Sequence, residues 1–234
     1  MSQDKAEFDQ FSKNYDDILN AQLKGVGGNS TYFAFYKVKI VADNEAKKEN
    51  LNILDFGCGV GNSSEFFHQL FPTAQIQGID VSAESIKTAQ EKSIQNCTFQ
   101  TLEGLTLPFP DQSIDLVFTS MVFHHIPHEN HLAYFKEIYR ILKPNGSFYI
   151  FEHNPYNPVT QKIVRECEFD HDAVLLYPKK TKAVLSKIGF KRPSLNFTLF
   201  FPRHKLFSIF FGLEYWMRKV PLGGQYYIHA KRYK

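Results

Sequence analysis

Ile53-Leu54-Asp55-Phe56-Gly57-Cys58-Gly59-Val60-Gly61-Asn62 reads as an apolar strand that delivers one acid and three alternate glycines onto a tight turn, with a helix to follow. Glycines permit backbone torsions and a close ligand approach that a Cβ would obstruct. Asp55 adds a carboxylate able to hold a ligand's ammonium group. In the dinucleotide fingerprint the third glycine stands three places after the second and helps seat a pyrophosphate. Here that place is Asn62, so the loop suits a zwitterion joined to a nucleoside better than a dinucleotide. Downstream, Ile76-Gln77-Gly78-Ile79-Asp80 reads as a second strand ending in a carboxylate placed to accept both hydrogen bonds of a ribose diol.

Outward from this pair, strands are predicted near residues 51–56, 76–80, 97–101, 114–119 and 147–152, separated by helices around 62–70, 82–93 and 129–142. This is the alternation of a parallel α/β sheet. Leu132, Phe135, Ile138, Tyr139 and Leu142 give the third helix an apolar face before Lys143-Pro144-Asn145-Gly146 stops it. Beyond residue 153 the pattern changes to helices near 158–167 and 178–188 and strands at 195–201 and 225–230. Between those strands, 204–220 reads as a helical insertion with a broad apolar surface. It is open to service as core cover, pocket cap, subunit contact or peripheral membrane contact. Gln22 to Ser30, with Gly25, Gly27 and Gly28, reads as a flexible turn before a helix that precedes the first strand.

The 234 residues suffice for one sizeable domain, 1–234, and 43% hydrophobic content is globular. A net charge of +3 with mixed signs gives no strong nucleic-acid signal. The 23 Phe and 12 Tyr are unusually many; ordinary core packing explains most of them, and a surplus suits a pocket or interface. Cys58, Cys97 and Cys167 are too few and too irregular for a disulfide framework or a four-ligand metal site. The polar start lacks a signal-peptide run, and no segment offers the roughly 20 apolar residues of a membrane span. A cytoplasmic, reducing setting is the simplest expectation.

Four ordered motifs, Leu54-Asp55-Phe56-Gly57-Cys58-Gly59-Val60-Gly61, Gly78-Ile79-Asp80-Val81-Ser82, Leu107-Pro108-Phe109-Pro110-Asp111 continuing to Val117, and Leu142-Lys143-Pro144-Asn145-Gly146-Ser147, resemble the class I S-adenosylmethionine-dependent methyltransferases, in particular the UbiE/COQ5-like (type 11) small-molecule branch. The resemblance spans roughly residues 8–153. It implies a doubly wound, Rossmann-like α/β sheet of seven mostly parallel strands with an antiparallel C-terminal strand. It also implies S-adenosylmethionine as cofactor and a small, hydrophobic methyl acceptor as partner. Asp55 and the turn Gly57, Cys58, Gly59 and Gly61 would then flank the amino-acid end of the cofactor. Asp80 would take the ribose, Val81 would lie beside the adenine, Glu103 would approach its amino group, and Thr119 would begin the loop beneath the methionine portion. Residues 1–30 look like a mobile lid, with Tyr15 as its ligand-facing residue. The C-terminal part, 154–234, resembles a subgroup associated with bacterial surface polysaccharide or other secondary metabolism, and its loops would form an acceptor wall.

Methyl transfer needs an aligned acceptor, a base where a proton must leave, and no metal. His124 and His125, directly after the fourth strand, are the first catalytic candidates. His153 and His171 are alternative bases, with Glu152 as an orienting acid. His128 and His131 fall at helical offsets from them, but Pro127 interrupts the face, so no metal set is expected. Cys58, inside the glycine turn, is assigned to packing rather than nucleophilic chemistry. The rival functions are a nucleotide-linked oxidoreductase, disfavoured by Asn62, and a non-catalytic methyltransferase-like binding protein. A homodimer is compatible with the sequence.

Overall fold

The computed structural model describes residues 20, 28–45, 48–167, 170, 173–201 and 212–233. The chain alternates α1 (Ser30–Glu45), β1 (Asn52–Phe56), α2 (Asn62–Leu70), β2 (Gln75–Asp80), α3 (Ala83–Glu91), β3 (Cys97–Thr101) and β4 (Ile114–Ser120). A 3₁₀ turn (Phe123–His125) leads to α4 (His128–Ile141) and β5 (Leu142–His153). Then come α5 (Pro158–Glu166), α6 (Pro178–Ile188), β6 (Phe190–Thr198), the single-turn α7 (Glu214–Met217) and β7 (Gln225–Arg232). The strands form one sheet ordered β3-β2-β1-β4-β5-β7-β6. β1 to β5 are parallel, and β7 runs antiparallel to both β5 and β6.

The central strands read as continuous apolar runs because both faces of the sheet are covered. Successive residues project to opposite faces. Leu54, Val117, Phe148 and Ile150 therefore join one core with Phe135 and Ile138 of α4, while Ile53, Leu116, Phe118, Tyr149 and Phe151 join the other with Val38 and Val41 of α1 and Phe67 of α2. The Leu107–Asp111 motif is pinned onto α4: Glu137 accepts from the Leu107 amide at 2.9 Å, and Arg140 donates to the Phe109 and Leu107 carbonyls at 2.9 and 3.0 Å.

One helix face and three strand ends differ from the sequence expectation. The buried face of α4 is Tyr134, Phe135, Ile138 and Ile141, whereas Leu132 is 47% exposed. β5 begins at Leu142 rather than 147, with a register shift against β4 that absorbs the Pro144-Asn145-Gly146 break. β6 begins at Phe190, because backbone pairing with Arg232 and Lys231 of β7 recruits a polar segment; Pro193 is tolerated because this strand is at the sheet edge. It ends at Thr198, where Leu199 turns to a φ of 60°. Of the 204–220 stretch, residues 202–211 lie outside the described residues. In α7, Trp216 is 80% exposed, while Glu214 is buried and accepts from Tyr36 Oη and the Phe200 amide. The described part of the insertion thus presents its tryptophan to solvent rather than to the sheet. Among the described residues no helix is long and apolar enough to cross a membrane.

Candidate active site

The strand order reverses between β1 and β4, and in open α/β sheets ligands bind at such a switch point, outside the carboxyl ends of the strands. A cavity of about 550 Å³ opens there, within the roughly 300–1,000 Å³ of small-molecule sites. Gly57, Gly59 and Gly61 all have positive φ, at 74°, 51° and 80°. The amides of Gly57 and Cys58 donate to the Ile79 carbonyl at 2.8 and 3.0 Å. The Gly59 amide donates to Asp80 Oδ2 at 2.8 Å, and the Ser82 amide to Oδ1 at 2.9 Å. Glycine loop and strand-end acid are therefore one unit, and Asp80 lines the cavity.

The three glycines serve different ends. A Cβ on Gly57 would stand 2.3 Å from Val122 Cγ2, so Gly57 lets the β4 loop close on the turn. At Gly59 a Cβ would meet nothing within 4 Å, leaving space beside the loop for a ligand. Gly61 does not line the cavity; it caps α2 against Phe99 and Ala89. Gly57→Ala combines overlap with a left-handed φ and should destabilise the protein by roughly 2–4 kcal/mol. A thermal melt should show a midpoint lowered by roughly 5–10 °C, and an unshifted midpoint would contradict the packing described.

Asp55 is 2% exposed, lines the cavity and accepts from Ser64 Oγ at 2.6 Å. Burial pushes its carboxyl up to about 7, against the lowering effect of the Ser64 bond, and the neighbouring Asp80 charge adds to the rise. The folded acid therefore holds a proton that the unfolded chain gives up near its ordinary 3.8, so its contribution makes the ligand-free protein less stable as pH rises between those values. Cys58 is buried, its thiol is pushed well above the usual range by burial, and its Sγ packs close to Gly78. It fills space behind the loop and is among the cavity-lining residues.

Val81 and Glu103 also line the cavity, Glu103 as an exposed residue at the rim. Thr119 does not: it is fully buried, and the adjacent Ser120 faces the cavity instead. Ser120 Oγ accepts from Lys37 Nζ at 2.8 Å. Lys37 is a cavity residue that sequence reasoning missed. Burial lowers its ammonium to about 8, opposed by the Glu152 charge. Tyr15 and His171 lie outside the described residues.

Also beside the cavity, the 3₁₀ turn is fixed by Phe123, whose ring stacks on Phe135 at 4.5 Å and whose amide donates to Glu152 Oε1 at 2.9 Å. This turns His124 away from the cavity and His125 into it. His124 is 2% exposed; its Nδ1 lies 2.5 Å from Glu152 Oε2 and its Nε2 3.3 Å from Asp170 Oδ1. His125 Nε2 is 3.2 Å from the same Asp170 oxygen, and His153 Nε2 is 3.6 Å from Oδ2. His124 is raised to about 9: burial opposes the proton, but the Glu152 and Asp170 carboxylates outweigh it. Burial lowers His153 despite Asp170. Asp170 itself is held far below the usual carboxylate range by its three imidazole partners in spite of burial. The sequence pointed to all three histidines and to Glu152. Asp170, which gathers them, carried no local signal. His131 is committed to the Ile126 carbonyl at 2.8 Å.

Residues 53–146 match the family described as a methyltransferase domain. The chain is 28% identical over 141 residues to the trans-aconitate 2-methyltransferase of Escherichia coli, covering 60% of this chain and 53% of that protein. It is 30% identical over 138 residues to an uncharacterized methyltransferase of Schizosaccharomyces pombe, covering 55% and 48%. The chain thus spans about half the length of these curated relatives. In fold it is similar to the crystal structure of a SAM-dependent methyltransferase from Archaeoglobus fulgidus, with a TM-score of 0.69 at 17% identity over 87% of this chain and 95% of that one. Residues 53–146 thus carry a methyltransferase domain by family match, and the chain, with its glycine loop, strand-end acid and reversed seventh strand, has the fold of the solved S-adenosylmethionine-dependent methyltransferase.

Proposed function

We propose that the protein transfers the methyl group of S-adenosylmethionine to an oxygen, carbon or nitrogen of a small metabolite with an apolar body, within the UbiE/COQ5-like branch. The observation that carries this reading is that one cavity is lined both by the glycine loop with Asp80 and by His125, His153 and Asp170. Three features fit the cofactor. Ser30 Oγ is buried in the cavity wall without a hydrogen-bond partner among the described residues, space is kept beside Gly59, and a buried acid and a strand-end acid suit an ammonium and a ribose. The E. coli relative is named for a small acceptor, trans-aconitate, which supports an acceptor of that size here.

When bound, the cofactor would supply a sulfonium-activated methyl group to the acceptor. Asp55 holds the ammonium and Asp80 the ribose. Val122, Ile126 and Ile163 line the apolar wall and exclude water from the acceptor, so orientation supplies much of the rate. The His–Asp170 cluster orients the nucleophilic atom and draws off its proton. Asp80 and Lys37 are the other charged groups lining the cavity near the ammonium site, with Glu103 at the rim.

Two measurements test this reading. Incubation with S-adenosylmethionine and a panel of small hydroxy, carboxy and amino compounds should yield the demethylated cofactor and a product heavier by one methylene in mass spectrometry. A folded protein that binds the cofactor but methylates no class of acceptor would argue for the non-catalytic alternative. In addition, ammonium binding at Asp55 must expel the proton it carries below about 7. Calorimetry in buffers of different ionisation enthalpy should therefore show proton release on cofactor binding near pH 6, with affinity rising towards pH 7. Buffer-independent heats near pH 6 would remove Asp55 from the ammonium site.

A further inference from the structure

Nε2 of His124 and Nε2 of His125 lie 3.3 and 3.2 Å from one and the same oxygen, Asp170 Oδ1, and the three atoms all fall within 4.8 Å of one another. A tetrahedral ion with bonds of about 2.0–2.1 Å keeps its ligand atoms roughly 3.3 Å apart. Both imidazole–carboxylate edges already have that span. We propose that His124, His125 and Asp170 form a binding site for a divalent transition-metal ion of the zinc type, at the acceptor end of the cavity.

The orientation of His124 supports this. Glu152 Oε2 sits 2.5 Å from Nδ1, and its other oxygen is held by the Phe123 amide at 2.9 Å. A carboxylate so fixed keeps the proton on Nδ1 and leaves the Nε2 lone pair for an ion, which is how outer carboxylates orient metal-binding imidazoles. Charge points the same way. Two buried or nearly buried carboxylates, Glu152 and Asp170, bracket the imidazoles; the Lys37 ammonium already faces the Glu152 charge, and a cation at the imidazoles answers Asp170. The segment bearing Asp170 is tied to the histidine turn by the bond from the Val174 amide to the His124 carbonyl, 3.0 Å. Two imidazoles and a carboxylate suit zinc, manganese or iron better than calcium or magnesium. Because His125 and Asp170 line the cavity, the open coordination position would face the acceptor, as in sites that polarise a substrate oxygen; in the metal-loaded protein His125 serves as a ligand, and the ion rather than the imidazole eases the acceptor's proton off. The inference rests on the methyl-transfer reading only in assigning this end of the cavity to the acceptor.

The test uses the full chain, stripped with a chelator and dialysed. Zn²⁺ is titrated in competition with a chromophoric chelator, and Co²⁺ is followed by its visible absorption. Wild type should bind one equivalent saturably, with the Co²⁺ spectrum of a low-coordinate nitrogen and oxygen site. Asp170→Asn and His125→Ala should each weaken Zn²⁺ binding at least about 100-fold, and Glu152→Gln roughly 10- to 100-fold. His229→Ala, which alters a histidine outside the cavity lining, should leave it unchanged. Absence of saturable binding, or equal affinity in Asp170→Asn and His125→Ala, would overturn the proposal. S-adenosylmethionine binding is measured on the same samples. A negative metal titration with cofactor binding intact removes the metal site alone, whereas lost cofactor binding in the wild type counts against the methyl-transfer reading and leaves the metal result to stand by itself.

Discussion

Replacing Asp80 with alanine is expected to weaken S-adenosylmethionine binding by roughly 100-fold or more while the protein stays folded. A carboxylate accepting both hydroxyls of a ribose makes two charge-assisted hydrogen bonds, each worth about 1.5–3 kcal/mol when one partner is removed. Asp80 also accepts from the Gly59 and Ser82 amides, so alanine frees the glycine loop and the α3 entry as well as the ligand. Asp80→Asn should fall between, because its carbonyl retains one amide bond while its charge and second acceptor are lost. Calorimetric titration of each folded variant reads the effect, and an unchanged affinity for Asp80→Ala would remove the acid from the cofactor site.

The second large effect belongs to His125→Ala. Its ring is the member of the His124–His125 pair that lines the cavity, and it is anchored to Asp170 at 3.2 Å. Removing a group that orients the acceptor and draws off its proton should slow transfer by roughly 10²–10⁴-fold. Cofactor affinity should change by less than about twofold, because the ring is anchored to Asp170 and is assigned to neither the ammonium nor the ribose. Single-turnover formation of the demethylated cofactor with an acceptor from the panel separates the two quantities. His124→Ala is the less informative substitution: its ring is buried between Glu152 and Asp170, so its loss strands a buried carboxylate and disturbs the fold. Equal single-turnover rates for wild type and His125→Ala would remove the ring from catalysis.

Much of the sheet was legible in the sequence because burial on both faces writes strands as unbroken apolar runs, and because glycines at positive φ leave a mark that few other constraints imitate. Ile53 to Asn62 and Ile76 to Asp80 carried the fold and the cofactor end together. The α4 face was read one helical step out of place at Leu132, since apolar spacing alone does not fix rotation to within one residue. Thr119 and Ser120 show the same limit in a strand. Alternate residues face opposite ways, and the polar pair gave no sign of which one the cavity would receive. β6 was set by pairing with β7 rather than by its own Lys191-Arg192-Pro193 start. Lys37 and Asp170 were invisible for a different reason. Each is unremarkable in its local sequence, and each gains its role only when the fold carries a preceding helix over Ser120 or a loop after α5 onto three histidines.

The central claim is that the Gly57–Gly61 turn and Asp80 bind S-adenosylmethionine. It is tested most directly by calorimetric titration of cofactor-free protein with S-adenosylmethionine, its demethylated product and NAD under identical conditions. Saturable binding of the first two, with none of NAD, is the predicted result. Selective binding of NAD, or no binding of either adenosyl ligand by the folded protein, would contradict it.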